Sequence, residues 1–161
     1  AIRELGITDV EAVKKGFLNV VQLTGLMGRW QILCNQPLIV CDTGHNVGGW
    51  KYLSKQIIHQ ECHQKHIVFG MVDDKDIDSV MELLPKDAIY YWSQATTHRA
   101  IPSQVVAQKG LAHGLVGRVY DSVESAYMAA LAIAVPNDFV FIGGSSYIVS
   151  DLLACLATPK E

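Results

Sequence analysis

The feature that most constrains the fold is a regular alternation of apolar runs and helical patterns that starts at Leu38. Runs that favour β-strands lie at 38–41, 66–71, 88–92, 115–120 and 138–142. Helical patterns follow them, at 47–60, 76–84, 102–112, 122–134 and about 146–156. Strands that alternate with single helices imply right-handed crossovers and a parallel sheet covered on both faces. The sequence therefore predicts an α/β protein, a Rossmann-like three-layer domain.

One further strand is predicted ahead of this alternation. The extended run at 31–34 is followed by a turn at 35–37, which contains Pro37. The two runs on either side of that turn can form an antiparallel pair at the sheet edge. We therefore expect a mostly parallel sheet of about six strands with an antiparallel edge strand.

The N-terminal part of the chain predicts a helix and a connector. Residues 1–16 have helical spacing, with Thr8 or Asp9 as a cap and Gly16 as a stop. Residues 17–28 are expected to form the connector that leads into the first strand. Because the first residue is Ala rather than Met, we expect the chain to be part of a longer protein.

Composition argues against several classes of function. The chain has 161 residues, of which 50% are hydrophobic, enough to form one domain with a sizeable core. Its net charge is −3 and it has no run of basic residues, so nucleic-acid binding is not expected. Its longest apolar run, 126–135, is about half of the ~20 residues that a membrane span needs. No secretory signal and no C-x-x-C spacing occur, so we expect a cytoplasmic protein with reduced cysteines.

Polar residues follow two of the predicted strands at the point where each ends. Asp42, His45 and Asn46 follow the strand at 38–41, and Gly143-Gly144-Ser145-Ser146-Tyr147 follow the strand at 138–142. Ligands bind at the carboxyl ends of strands in open α/β sheets, beside helix N-termini that attract anions.

The residue types alone leave more than one role open for each of these groups. Asp42 could accept hydrogen bonds from backbone N–H groups, or it could bind the two hydroxyls of a ribose. His45 could be a satisfied polar residue at a helix start, or a donor to a carboxylate or phosphate. Ser145 could cap a helix or help to hold an anion.

Two arginines are further candidates for anion contacts. A lone arginine beside a glycine, such as Arg29, is usually solvated, but a guanidinium can also clamp a phosphate in bidentate fashion. Arg99 follows another predicted strand, where it could be a surface residue or a second positive group that faces the site.

Two groups of residues have the composition of metal ligands, but we predict a metal at neither. The first is acidic and suits the first turn of a helix, where the macrodipole favours negative charge: Asp73, Asp74, Asp76 and Asp78. The second has zinc-like spacing but straddles a helix end and a strand start: His59, Cys62, His63 and His66. The sequence also contains neither G-x-x-x-x-G-K-[ST] nor G-x-G-x-x-G, so neither familiar phosphate-binding device is available to this chain.

Five short motifs, taken in order, resemble a known family. They are Gly28-Arg29-Trp30-Gln31, Asp42-Thr43-Gly44-His45-Asn46, the stretch 69–76 (FGMVDDKD), the stretch 98–102 (HRAIP) and Gly143-Gly144-Ser145-Ser146-Tyr147. In this order they resemble the C-terminal domain of folylpolyglutamate synthase/dihydrofolate synthase, a family of the Mur ligase superfamily. The resemblance covers essentially the whole chain from about residue 17.

The resemblance implies a fold, an activity and partners. It implies the C-terminal domain of a ligase that adds L-glutamate to dihydropteroate or to the glutamate tail of a folate. ATP would phosphorylate the acceptor carboxylate, and the glutamate amine would then attack the acyl phosphate. The phosphate loop and the Mg²⁺ ligands would lie in the N-terminal and central ATPase domains, so this part alone is expected to be inactive, and the full-length enzyme is expected to be a monomer.

The resemblance also assigns residues and boundaries. It implies that Arg29 lies near the ATP phosphates and Asp42 on the ribose, and that His45, Ser145 and Tyr147 contact the incoming glutamate. Residues 1–16 would be the tail helix of the ATPase domain, 17–28 the interdomain linker and 29–161 the α/β domain. The sequence departs from the commoner family pattern at three positions, where Ala, Pro and Pro are usual: Gly44, Val47 and Gly28.

Two other functions are compatible with the same residues. One is a Mur-type cell-wall ligase, which adds an amino acid to a nucleotide-linked sugar. The other is a stand-alone α/β module that binds a nucleotide or an acidic metabolite.

Overall fold

The protein is described by a computed structural model that covers residues 4, 6, 9–73 and 76–157. Its sheet has six strands in the order β1-β2-β6-β3-β4-β5. The strands are β1 (Gln31–Asn35), β2 (Leu38–Asp42), β3 (Lys65–Phe69), β4 (Ala88–Trp92), β5 (Gly117–Val119) and β6 (Phe139–Gly143). β1 pairs antiparallel with β2, and the other neighbours are parallel. The predicted fold class and the antiparallel edge strand are confirmed.

Seven helices accompany the sheet in the described part of the chain. They are α1 (Val10–Leu18), α2 (Val20–Thr24), α3 (Val47–Ile58), α4 (Ile77–Met81), α5 (Ser103–Ala112), α6 (Val123–Leu131) and α7 (Ser146–Ala157). α4 is shorter than the predicted helix at 76–84. Its last turn tightens into i to i+3 hydrogen bonds at Leu83 and Leu84, just ahead of Pro85.

The helices cover both faces of the sheet because alternate strand residues point to opposite sides. On one face Val40, Phe69 and Phe141 pack with α3, α4 and α5. On the other face Cys41 and Ile142 pack with α6 and α7. Every residue of β3 and of β6 is buried, as expected for central parallel strands.

The N-terminal helix differs from the prediction. It runs through Gly16 to Leu18, so the predicted stop at Gly16 is wrong. A glycine inside a helix costs only about 1 kcal/mol, which the rest of α1 outweighs. Asp9 is the cap, since its carboxylate accepts a hydrogen bond from the Ala12 N–H at 2.9 Å. Thr8, the other predicted cap, lies outside the described residues.

The predicted connector at 17–28 is not wholly irregular either. It contains α2, which ends at Gly25 in the left-handed conformation (φ 67°). Both N-terminal helices expose apolar side chains: Phe17, Leu18 and Leu23 are 68%, 85% and 70% exposed. Among the described helices, none is long and apolar enough to span a membrane.

The four cysteines are free thiols, and their reactivity is expected to differ. Cys41 is fully buried, and burial beside the Asp42 carboxylate raises the pKa of its thiol to about 12. Because the thiolate is the reactive species, iodoacetamide at pH 8 should label the half-buried Cys34 well before Cys41. Peptide mass mapping after timed labelling measures this order. Equal labelling of the two in the native protein would contradict it, and labelling in urea, where both should react, serves as the control.

Candidate functional site

The carboxyl ends of three neighbouring strands lie side by side at one end of the sheet. Asp42 at the end of β2 pairs with Gly143 at the end of β6, which pairs on its other side with Phe69 of β3. β2 and β3 lead into helices on one face, whereas β6 leads into α7 on the other face. Neighbouring strands that continue to opposite faces leave a crevice between them, and this is where open α/β sheets bind ligands. We call the site between the carboxyl ends of β2 and β6 the β2/β6 crevice.

Two glycines allow the backbones to meet closely at the crevice. A Cβ on Gly144, which has a φ of 107°, would lie 2.3 Å from the carbonyl oxygen of Gly70. A Cβ on Gly143 would lie 2.7 Å from the carbonyl oxygen of Asp42. Real Cβ atoms do not approach backbone this closely, so glycine is required at both positions.

Asp42 binds two backbone N–H groups. Its Oδ2 accepts from the Trp30 N–H at 2.7 Å, and its Oδ1 accepts from the Gly44 N–H at 2.8 Å. The Thr43 N–H also donates to the carbonyl oxygen of Gly28 at 2.9 Å. Asp42 therefore has the structural role that the sequence left open, and it ties residues 28–30 to the crevice. Its half-buried carboxylate is still within reach of solvent.

These contacts fix the backbone on both sides of Arg29. Gly28 is in the left-handed region (φ 71°), and so is Trp30 (φ 43°), where tryptophan is uncommon. The indole of Trp30 stacks on Phe139 with ring centroids 6.2 Å apart, which holds it in place. The Arg29 side chain is exposed and, among the described residues, forms no ion pair. The structure thus brings Arg29 and Asp42 to the same end of the sheet, at the β2/β6 crevice.

Sequence reasoning missed the part played by Trp30. The only feature of the sequence that points to Trp30 is its position directly after Gly28-Arg29. Nothing in the sequence indicates that this tryptophan has a positive φ.

Two twelve-residue helices begin at the crevice with side-chain caps. Asn46 caps α3 by accepting from the Gly49 N–H at 2.8 Å. Ser145 caps α7 by accepting from the Ile148 N–H at 3.2 Å, and only 1% of Ser145 is exposed. Ser145 therefore acts as a helix cap. Tyr147 lies in the first turn of α7 and is 38% exposed.

His45 lies between Asp42 and the α3 cap. Its ring Nδ1 is 3.0 Å from the carbonyl oxygen of Thr43, and the side chain is half-buried. The ring is therefore held against its own turn, at the mouth of the β2/β6 crevice.

The acidic residues after β3 serve as a cap and as ion-pair partners. Asp76 caps α4, and the hydroxyl and N–H of Ser79, which both donate to its carboxylate, lower its pKa. Asp78 pairs with Lys109, with 2.6 Å between Nζ and Oδ2. Asp73 lies 3.8 Å from the Nε of Arg99, and its N–H donates to the Arg99 carbonyl oxygen. Asp74 lies outside the described residues.

The residues with zinc-like spacing do not converge on a metal. At the opposite end of the sheet, His66 and His63 both contact the carboxylate of Asp138, at 3.2 and 3.3 Å. His59 bonds to the Lys55 carbonyl oxygen instead. Among the described residues, no group of three or more His, Cys, Asp and Glu side chains is arranged so that it could hold a metal ion.

Asp138 is the buried centre of a polar cluster in which His66 and Tyr91 are also buried and His63 is exposed. Its carboxylate also accepts from the backbone N–H groups of Gln64 and Val135, and Nδ1 of His66 lies 3.0 Å from the Tyr91 hydroxyl. Burial raises the pKa of Asp138, but the Val135 N–H and the two imidazoles outweigh it and hold that pKa below its usual value. We call Asp138, His63, His66 and Tyr91 the Asp138 cluster.

The fold and the crevice define a class: a three-layer α/β domain with a topological switch point at the β2/β6 crevice. Within this class, the family model of the Mur ligase glutamate ligase domain matches residues 28–146. The chain belongs to this family.

Relatives agree with the resemblance that the motifs indicated. The Escherichia coli (strain K12) dihydrofolate synthase/folylpolyglutamate synthase is 30% identical over 155 residues, which cover 95% of this chain and 35% of that protein. A structure of E. coli FolC in complex with DHPP and ADP has a TM-score of 0.73 and 28% identity, covering 81% of this chain and 31% of that one. The chain spans about a third of the length of the relatives that it matches.

Another solved relative has a metal ion, a nucleotide and an amino acid bound. It is a bifunctional folylpolyglutamate synthase/dihydrofolate synthase with Mn, AMPPNP and L-glutamate bound, at a TM-score of 0.71 and 27% identity. The match covers 83% of this chain and 32% of that chain.

Proposed function

We propose that the chain is the C-terminal domain of a cytoplasmic ATP-dependent ligase that joins L-glutamate to dihydropteroate, to the glutamate tail of a folate, or to both. ATP activates the acceptor carboxylate as an acyl phosphate, and the glutamate amine displaces the phosphate. The observation that carries the proposal is the β2/β6 crevice, where Arg29, Asp42 and two helix N-termini meet in a chain that belongs to the glutamate ligase domain family.

Each group at the crevice has a role in this proposal. The Arg29 guanidinium contacts the phosphates, and the Asp42 carboxylate accepts from the ribose while it holds the Trp30 N–H. His45 and Tyr147 contact the incoming glutamate, whose carboxylates are attracted to the positive ends of α3 and α7. Ser145 supports this contact by fixing the start of α7.

The rest of the polypeptide supplies what this chain lacks. The sequence has no phosphate loop, and the described residues offer no metal cluster, so we assign the phosphate loop and the Mg²⁺ ligands to an ATPase domain. The length of the relatives leaves about two thirds of such an enzyme for that domain. The exposed Phe17, Leu18 and Leu23 support packing of α1 and α2 against it. Because α2 lies within the predicted linker at 17–28, this proposal shortens the linker to 25–28.

An assay of the complete polypeptide tests the activity. We expect ATP- and L-glutamate-dependent product with dihydropteroate, with a reduced folate monoglutamate, or with both, detected by mass spectrometry as the addition of one glutamate. A nucleotide-linked sugar acceptor serves as the contrast, because a cell-wall ligase would use it instead. Product from that acceptor alone would refute the folate assignment.

Replacing Arg29 by Ala in the complete enzyme is expected to lower kcat/KM for ATP about 10- to 100-fold, since a charge-assisted hydrogen bond is worth about 1.5–3 kcal/mol. The melting temperature should stay the same, because the Arg29 side chain is exposed. Arg118→Ala is the matched control: this arginine is also exposed, but it lies in the edge strand β5, away from the crevice. Equal kinetics in both variants would show that Arg29 does not contact ATP.

A further inference from the structure

We propose that His45 accepts a proton from the α-ammonium group of the incoming amino acid and thereby prepares the nucleophile. The inference rests on the proposed function and adds to it a catalytic residue with a stated direction of proton transfer.

The direction follows from the hydrogen bond that His45 makes. Nδ1 lies 3.0 Å from the carbonyl oxygen of Thr43, and a carbonyl oxygen can only accept a hydrogen bond. Nδ1 therefore carries the proton. In the neutral ring the other nitrogen, Nε2, then has a lone pair and can only accept.

The surrounding turn holds this arrangement in place. Asp42 binds the Gly44 N–H on one side of His45, and Asn46 caps α3 on the other. The indole N–H of Trp50 also donates to the Gly44 carbonyl oxygen at 3.2 Å. With both neighbours of His45 fixed, its ring is preorganised and Nε2 is the nitrogen left for a ligand.

An acceptor at this position suits the reaction better than a donor. Amino acids carry a protonated α-amino group at neutral pH, and this group must lose a proton before its nitrogen can attack. A neutral His45 performs this step directly. To donate to a carboxylate, by contrast, the same ring would first have to bind a second proton.

Protons and electron pairs balance in this step. The α-ammonium group gives one proton to Nε2 of His45, which becomes an imidazolium. The freed nitrogen lone pair attacks the carbonyl carbon of the acyl phosphate, forming the C–N bond as the C–O bond to phosphate breaks. The second proton of the attacking nitrogen leaves with the phosphate as HPO₄²⁻, and the imidazolium returns its proton to water.

A change of nucleophile tests this role in the complete polypeptide. Hydroxylamine is largely unprotonated at neutral pH and converts an acyl phosphate to a hydroxamate, so it needs no base. For His45→Gln and His45→Asn we expect kcat with glutamate to fall about 10²- to 10⁴-fold, with KM for glutamate within a few-fold of wild type. Hydroxamate formation should stay within about three-fold of wild type, on the same reasoning that only the proton transfer is lost.

Two features of the design separate catalysis from structure. In His45→Asn the side-chain amide can still donate to the Thr43 carbonyl oxygen, so the turn is preserved. His59→Asn is the matched control, since His59 is an exposed histidine whose Nδ1 also contacts a backbone carbonyl oxygen, that of Lys55, but it lies at the opposite end of α3 from the crevice and should behave as wild type with both nucleophiles.

The outcomes that would overturn the inference are distinct. An equal loss with glutamate and hydroxylamine would show that His45 only shapes the crevice. A raised KM for glutamate at unchanged kcat would show that it binds a substrate carboxylate. If the wild-type enzyme formed neither product, the proposed function itself would fail, and the inference with it.

Discussion

Asp138→Ala is expected to lower the free energy of unfolding by about 3–5 kcal/mol, because it removes a buried carboxylate and leaves the buried groups that bind it without a partner. Asp138 is 5% exposed. Its loss would leave two backbone N–H groups and His66, which is 2% exposed, without their hydrogen-bond partner. In a chain of 161 residues this corresponds to a fall of roughly 10 °C in the melting temperature. Urea unfolding followed by tryptophan fluorescence measures the change.

Asp121→Ala is the matched control for this prediction. Asp121 is exposed, so its loss should change stability by no more than about 0.5 kcal/mol. If both variants were equally stable, the Asp138 cluster would contribute nothing to the fold.

The same cluster predicts a dependence on pH. The pKa of Asp138 is lower in the folded than in the unfolded protein. The Asp138 carboxylate therefore makes its full contribution to the free energy of unfolding above its pKa in the unfolded protein, which is about 3.9. The contribution is lost as the pH falls through the folded value. The stability difference between wild type and Asp138→Asn should therefore shrink below about pH 4. A difference that stayed constant from about pH 6 to about pH 3 would show that the Asp138 charge is not involved.

The second large effect is expected at Gly144. Its φ of 107° is strained for any L side chain, and a Cβ there would collide with the Gly70 carbonyl oxygen at 2.3 Å. Gly144→Ala should therefore cost at least about 3 kcal/mol, more than strain alone, which is about 1–3 kcal/mol. It should also separate β6 from β3 and impair ligation in the complete enzyme.

Gly114→Ala isolates the contribution of the collision. Gly114 also has a positive φ, of 76°, but no atom lies within 4 Å of the position that a Cβ would take there. This variant should lose only about 1–2 kcal/mol. If Gly144→Ala were no more destabilising than Gly114→Ala in chemical denaturation, the close approach of β6 and β3 would be unimportant.

The elements of the α/β domain could be predicted because their sequence signals are local. Apolar runs such as 38–41 and 139–142 lie in strands that are buried on both faces, where an unbroken apolar run is required. The N-terminal segment is harder to predict. Gly16 does not end α1, because a single glycine costs a helix little, and the five residues of α2 give too short a pattern to detect.

The location of the candidate site at the carboxyl end of the sheet could also be predicted, since polar turns after parallel strands must meet at one end of the sheet. The contacts within it could not. Asp42 and Trp30 are 12 residues apart, and nothing in either residue type indicates that a carboxylate will bind that N–H. The same holds for Asp138 and His66, 72 residues apart, whose pairing depends on the sheet order.

The proposed function requires this chain to supply one half of a split ATP and glutamate site. Isothermal titration calorimetry of the 161-residue chain with ATP and Mg²⁺, followed by a ligation assay on the same sample, tests this most directly. We expect weak nucleotide binding and no ligation product from the chain alone. Tight, Mg²⁺-dependent ATP binding, or ligation of glutamate by these residues without the rest of the polypeptide, would contradict the claim.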